Sequence, residues 1–422
     1  MRALREHEGP ADADTLWETF LLEAIRTGPL PDFCVYGEPC LALNGVVLDR
    51  QEHKRMVGLT ARFAAVFQKA VQVLAQDAVA LERLGFPWMA AELLAREPPD
   101  VPFLVGRFDF VLDTGGGWQL LEYNADTPSG PRETIAVEPL IARWLQGSLP
   151  APLARTGPRL AGALRRAFAR ATGEQAPGGV LGIVTDAGYA EDLAQTTFLA
   201  RLLAPALARR GVEVVAGDVD NLDFARGRLR ILGRPLDALY RYYPFETLLG
   251  RQAFADLFAA VSAGQLRLLN GLRGLLAQNK GLLAWLWEHR DDAVTFSPAE
   301  RRAIREHLPP VRWIDTVSPS EDRRALVLKQ VFGREGEEVY FGDRLADADW
   351  ERCRAWGSYV VQQRVAMHPV RLAVRTAGGP AVRDLWPVVG SFAVHNTWAG
   401  YYTRLGDPIT TDTAKFVATF VE

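Results

Sequence analysis

Apolar and polar positions alternate with two different periods along the chain. From Leu59 to Leu84, Phe63, Val66, Val71 and Val73 mix with alanines on one side, and no Gly or Pro intervenes, so this stretch is expected to be a helix. VPFLVGRFDFVL and GWQLLEYNA then read as strands, and the Asp113–Gly117 segment between them carries the Asp and Gly residues of a hairpin turn. Residues 128–131 read as a turn, and a helical pattern resumes at Glu133.

Breaks in composition fall near residues 150–158 and 173–179. After them VLGIVTD, VEVVAG, RPLDALYRYYP and LRLLNG alternate with helical stretches, one running to about Arg210 and one starting at Gln252. Such alternation predicts a three-layer α/β unit with a mostly parallel sheet. A helix is expected over Gly274–His289. Beyond Trp313 the segments ALVLKQV, EVYFG, SYVVQQRV, VRLAVRT, PVVGSFAV and GYYTRL predict an antiparallel region interrupted by one helix at Ala346–Trp356. The expected organisation is an N-terminal helical segment with the hairpin at 1–175, the α/β unit at 176–270 and a strand-rich nucleotide region at 271–422. The fold class is α/β (α+β).

Composition narrows the setting. The 422 residues are 48% hydrophobic, enough for a sizeable core, and the net charge of −3 offers no basic field for nucleic acid. Cys34, Cys40 and Cys353 form neither a zinc pattern nor a disulfide framework. The charged start of the chain and the lack of a long apolar run point to a cytoplasmic protein with no membrane partner. Basic residues are mostly Arg. The lysines are Lys54, Lys69, Lys280, Lys329 and Lys415, each worth examining as a place where a compact charge is needed.

Candidate chemistry begins on the hairpin. Strand side chains two apart share a face, so Arg107 pairs with Asp109 and Glu122 with Asn124. Together they offer the hard oxygens that suit Mg²⁺, or else an ion-paired solvent face. Lys329 precedes a Gly333-Arg334-Glu335-Gly336 loop able to cradle phosphates, or serving as an ordinary hairpin connection. Lys280 on its helix reads locally as a surface lysine. Gln362 and Gln363 end an apolar strand, where an amide can meet an adenine edge or simply terminate the strand. Arg404 is either a bridge between phosphate and carboxylate or a structural cation.

LVGRFDFVLDTGGGWQLLEYNADTPSG resembles the metal-binding hairpin of the glutathionylspermidine synthase-like ATP-grasp ligases. NKGLLAWLW, VLKQVFGREGEEV and VGSFAVHNTWAGYYTRLGDPIT are similar to that family's later nucleotide segments, and they occur in the family's order. The resemblance implies an ATP-grasp fold in circularly permuted order behind a pre-ATP-grasp α/β unit. It implies Asp109, Glu122 and Asn124 as Mg²⁺ ligands, and Arg107 as the residue steadying the acyl phosphate and the oxyanion. Lys280, Lys329, the 333–336 loop, Gln362, Gln363 and Arg404 are then the ATP contacts. Gln330 stands where many relatives carry Pro, and Ser129-Gly130-Pro131-Arg132 departs from the family where substrate lies. The expected function is an ATP- and Mg²⁺-dependent carboxylate–amine ligase, joining a small-molecule or peptide carboxylate to an amine. An ATP-dependent phosphotransferase and a non-catalytic nucleotide-binding module are the alternatives.

Overall fold

The computed structural model of the chain describes residues 2–4, 13–27, 34–97, 102–145, 153–173, 179–248, 251–318, 320–333, 336 and 338–422. Its centre is a nine-stranded sheet. Arg2–Leu4, Leu41–Leu48, Lys415–Val421, Thr397–Gly406, Gly379–Val394, Val105–Leu112 and Trp118–Asn124 lie side by side in that order, and Val370–Thr376 and Ala154–Arg155 pair at the side. The hairpin expected from the sequence forms its edge, with Arg107 opposite Asn124, Asp109 opposite Glu122, and a bulge after Asp109.

Alternation on this hairpin separates core from chemistry. Phe108, Phe110 and Tyr123 face the long helix Arg50–Leu74, and they and Leu120 are buried. Phe67 of that helix meets Phe108 at 5.4 Å and Tyr123 at 5.0 Å, and Phe108 stacks on Tyr123 at 3.8 Å. Each such ring contributes roughly 1.5–3 kcal/mol by leaving water. The helix starts earlier than its apolar stripe suggests, because the Asp49 side chain accepts from the Gln51 and Glu52 amides and caps it. The polar residues are left on the opposite face of the hairpin.

A parallel four-stranded sheet runs Arg267–Leu269, Ala238–Arg241, Val180–Thr185, Glu213–Asp218, as the alternating pattern predicts. A small antiparallel sheet of Leu222–Ala225, Arg228–Ile231 and Arg234–Pro235 is inserted between its strands Glu213–Asp218 and Ala238–Arg241, which the pattern does not indicate.

The strand-rich region after Trp313 is divided. Val311–Trp313, Tyr359–Gln363, Leu326–Gln330 and Val339–Phe341 form their own antiparallel sheet, with helix Asp347–Trp356 between its last two chain segments. The later strands join the central sheet, where Gly390 lies opposite Asp109. A local pattern carries no information about so distant a partner.

The single helix expected over Gly274–His289 is two, Leu272–Gln278 and Lys280–Glu288. Asn279 breaks it: its backbone turns to ψ 124°, its side chain accepts from the Gly281 amide at 2.8 Å, and it donates to the Leu84 carbonyl at 2.9 Å. Lys280 therefore opens the second helix. Among the described residues no helix is long and apolar enough to cross a membrane.

Candidate active site

A cleft of about 660 Å³ lies between the polar face of the hairpin, the four-stranded antiparallel sheet and the carboxyl ends of the parallel strands, the usual crevice for ligands in such sheets. At its centre the sequence-selected residues meet. Arg107 Nε donates to Asp109 Oδ1 at 2.7 Å and its Nη2 to Oδ2 at 2.9 Å. Arg404 Nη2 donates to Oδ2 at 3.0 Å. Asn124 Nδ2 lies 3.2 Å from Asp109 Oδ2 and 3.3 Å from Glu122 Oε1. Lys280 Nζ is 3.7 Å from Glu122 Oε2 and also donates to the Gly333 carbonyl. Lys329 Nζ donates to the Leu121 carbonyl at 3.3 Å.

Four cations, Arg107, Arg404, Lys280 and Lys329, thus surround two carboxylates. Burial alone would raise the Glu122 carboxyl, but Lys280, Lys329, Arg404 and Arg107 outweigh it and hold it down at about 2. Burial lowers the Lys329 ammonium to about 8, with Lys280 adding to the fall and Glu122 and Asp109 opposing it.

This charge balance tests the fit of Mg²⁺. Two carboxylates are suitable hard ligands, and the Asn124 amide, which here turns its Nδ2 to them, would have to rotate to offer its oxygen; a bare cation would be repelled by the surplus positive charge. The donor set fits a Mg²⁺ that arrives with phosphates, which supply both the negative charge and the rest of the shell. Among the described residues, no group of three His, Cys, Asp or Glu side chains forms an all-protein metal cluster.

Glycines make room at two points. A Cβ on Gly390 would lie 2.6 Å from Arg107 Cδ, so only the bare strand leaves room for that side chain. Gly336, at φ +78°, sits where a Cβ would come within 2.5 Å of the Thr410 carbonyl oxygen, so this glycine packs on the segment following Arg404. Gly333 and Gly336 are placed as described; Arg334 and Glu335 lie outside the described residues. The Gln330 amide donates to the Glu338 carbonyl at 3.1 Å, a bond that a proline here could not make.

At the far end Val327, Val339 and Phe341 line the cleft together with Gln362 and Gln363. The Gln362 side chain is buried, and its Nε2 has no hydrogen-bond partner. A buried donor left unpaired costs about 1–3 kcal/mol.

Residues with no local signal hold the hairpin exit. Gln278 Oε1 accepts from the Ala125 and Asp126 amides at 3.1 and 3.0 Å. Asn270 brackets Val105, accepting from its amide at 3.1 Å and donating to its carbonyl at 2.8 Å. The buried Arg241 guanidinium, at the end of a parallel strand, pairs with buried Asp126. Asp126 lies within the EYNADTP run, but its partner is 115 residues away.

A search of curated proteins finds no significant match. The chain superposes on a glutathione synthetase-like effector from Globodera pallida, solved in apo form, with a TM-score of 0.65, 12% identity, and coverage of 99% of this chain and 98% of that one. At that identity the likeness speaks for the fold alone. The model of the glutathionylspermidine synthase pre-ATP-grasp family matches residues 41–422, so the polar hairpin, both lysine-bearing elements and the strand of Arg404 all fall inside it, and the chain belongs to that family.

Proposed function

We propose that the chain is an ATP-dependent carboxylate–amine ligase, ADP-forming, with Mg²⁺ as its metal. The observation that carries this reading is the convergence of Arg107, Arg404, Lys280 and Lys329 on Asp109, Glu122 and Asn124 in one cleft. A surplus of fixed cations around metal-type oxygens suits a metal-bound triphosphate. In this reading Gln362 and Gln363 face the base, and Lys329, Lys280, the 333–336 loop and Arg404 hold phosphates. Asp109, Glu122 and Asn124 hold Mg²⁺, which when bound spreads the charge of the transferred phosphoryl group. The hairpin preceding the lysines corresponds to a circularly permuted ATP-grasp order, and the setting proposed is the cytoplasm.

Arg107 then serves the chemical step. Its Nη1 donates to the Ser129 carbonyl at 2.7 Å, and its Cζ lies over Tyr402, 5.0 Å from the ring centre. It is thereby held against the cleft, where an acyl phosphate and the oxyanion formed on amine attack would develop charge. No protein nucleophile is required, since the carboxylate itself attacks the γ-phosphorus. At the end of the cleft beyond Ser129, Asp186, Glu191 and Asp192 supply negative charge suited to a cationic amine.

The test is ADP release with Mg²⁺ across a panel of carboxylic acids and amines. Release that needs both acid and amine supports ligation. Release with acid alone, leaving a stable phosphorylated product, would establish a phosphotransferase, and nucleotide binding without any release would establish a regulatory module.

A second expectation concerns pH. Lys329 holds phosphate only when protonated, and its ammonium titrates at about 8 in the free protein. Nucleotide affinity measured by calorimetry should therefore be constant below pH 7 and weaken as pH rises past 8. Lys329→Arg, whose charge persists, should abolish that weakening. An identical pH profile in both proteins would remove Lys329 from the phosphate site.

A further inference from the structure

One long stretch of the chain carries a single sign of charge. From residue 139 to residue 173 there is no Asp or Glu, and there are six arginines: Arg143, Arg155, Arg159, Arg165, Arg166 and Arg170. In a chain whose net charge is −3, such a block is a local excess and not a reflection of overall composition. Helix Gly157–Thr172 holds the last four of them, all exposed. None of these four lines the cleft. The helix buries Leu160, Leu164 and Phe168. At about 100° per residue, Arg159, Arg166 and Arg170 then fall in one row within an arc of about 40°. Arg165 lies outside the row, and its Nε donates to the Leu202 carbonyl at 3.2 Å.

Other exposed arginines have carboxylates: Arg143 lies 2.6 Å from Glu23, Arg234 2.8 Å from Glu213 and Arg305 2.6 Å from Asp291. Among the described residues, Arg159, Arg166 and Arg170 have none; Glu174, just past the helix, lies outside those residues. Arg159 Cζ sits 4.9 Å from the centre of the Trp398 ring, and its Nε donates to the Trp398 carbonyl at 3.5 Å. Arg166 Nη1 is 3.1 Å from where a Gly162 Cβ would lie, so its guanidinium folds back along the helix toward Arg159. Arg170 Nη1 is 3.4 Å from His395 Nδ1. At the carboxyl end of the helix more positive charge gathers, for Arg210 donates to the Ala169 carbonyl and Arg267 Nη1 to that of Ala171 at 2.6 Å. Arg166 and Arg170, four residues apart, repel each other. The row's field also reaches the rings beside it: burial lowers His53 and Arg159 adds to the fall, and burial lowers His395 with Arg170 adding.

The spacing of the row selects the shape of a partner. Arg166 and Arg170 are separated by about 6 Å along the helix axis, and Arg159 and Arg166 by about 10 Å. An extended strand advances about 3.3 Å per residue, so it would need steps of two and three residues, and a step of three turns its side chain to the opposite face. A second helix lying alongside repeats the same steps of four and seven, with its carboxylates on one face. Nucleic acid fits less well. The row is one helix wide, and the neighbouring Trp398 is 7% exposed with Arg159 and His53 on its ring, which leaves no platform for a base. We propose that Arg159, Arg166 and Arg170 form a docking row for an acidic helix of a partner protein, whose Glu or Asp side chains recur at steps of four and seven. This surface goes beyond the ligase reading and does not rest on it.

The experiment uses the full chain at low salt and two labelled, alanine-based helical peptides of one composition. The first carries three glutamates at steps of four and seven, the second the same three at steps of five and six, which turns the middle one off the face. Fluorescence anisotropy should show the first peptide binding roughly tenfold more tightly than the second, since exposed ion pairs contribute up to a few-fold each, and the advantage should fade as salt is raised. Arg159→Gln/Arg166→Gln/Arg170→Gln should lose the advantage. Arg159→Lys/Arg166→Lys/Arg170→Lys, which keeps the charges, should retain most of it, and this second variant separates loss of charge from disturbance of the helix. Nucleotide affinity should be unchanged in both, because no member of the row lines the cleft. Equal affinity for the two peptides, no binding of either, or an advantage that survives the glutamine variant would each overturn the docking row. Tighter binding of an oligouridylate or of phosphatidylserine vesicles through the same three arginines would also overturn it, and would assign the face to nucleic acid or to a membrane.

Discussion

Arg107→Ala should lower turnover by roughly 10²–10³-fold, the loss typical of one donor aimed at a developing oxyanion, while nucleotide affinity changes little. The side chain is 3% exposed and committed at three points: bidentate to Asp109, donating to Ser129, and over the Tyr402 ring. These contacts set up a competing account in which Arg107 only clamps the hairpin. The two differ in what the alanine variant retains. Asp109 keeps Arg404 at 3.0 Å and Asn124 at 3.2 Å, so its carboxylate is not orphaned and the fold should survive. Charge at the reacting centre is largest in the transition state, so a residue serving that charge is felt in kcat more than in KM. Arg107→Lys should recover only part of the rate, because a point charge cannot span two oxygens as a guanidinium does. Melting temperature and turnover measured on one preparation decide between the accounts. A variant that melts lower but turns over like wild type would leave Arg107 a clamp and nothing more.

Much of this site is legible in the sequence because the hairpin obeys a period of two. That period alone places Arg107, Asp109, Glu122 and Asn124 on one face and Phe108, Phe110 and Tyr123 on the other. The runs of apolar residues at Val180–Thr185 and Ala238–Arg241 likewise announce buried parallel strands. The illegible part depends on contacts across long sequence separations. Gly390 reads as an ordinary strand glycine until its register sets it opposite Asp109 and beneath Arg107. Asn279 reads as one more helical position, because a side chain that caps a new helix leaves no mark on the apolar stripe. Gln278, Asn270 and Arg241 hold the Ala125–Asp126 segment from elements more than 100 residues away. Arg132 stands out in the sequence only as a departure from the family pattern. Its burial arises from Gly130, Tyr402, Glu133 and Gln195 meeting in three dimensions.

Asp109→Asn should be the most damaging single change in the cleft, and it carries a signature that mere destabilisation cannot imitate. The carboxylate is 1% exposed and receives four donors: Arg107 twice, Arg404 and Asn124. An amide in its place presents its own N–H groups to at least one guanidinium and removes the anion that Arg107 and Arg404 share. Breaking one side of a buried ion pair costs about 3–5 kcal/mol, and a fall in Tm of roughly 5 °C or more is expected. Turnover should drop at least as far as in Arg107→Ala, since a metal ligand and the anchor of Arg107 are lost together. The effect on nucleotide has a definite sign. Wild type sets four cations against Asp109 and Glu122; the variant retains the cations and one carboxylate. Metal-free ATP should therefore bind the variant more tightly than wild type, while the gain in affinity on adding Mg²⁺ should shrink or vanish. Titrating ATP by calorimetry with and without Mg²⁺ reads both changes. If instead metal-free ATP binds more weakly and the Mg²⁺ gain is preserved, Asp109 is a structural counter-ion for Arg107 and Arg404, and the metal belongs to Glu122 and the phosphates alone.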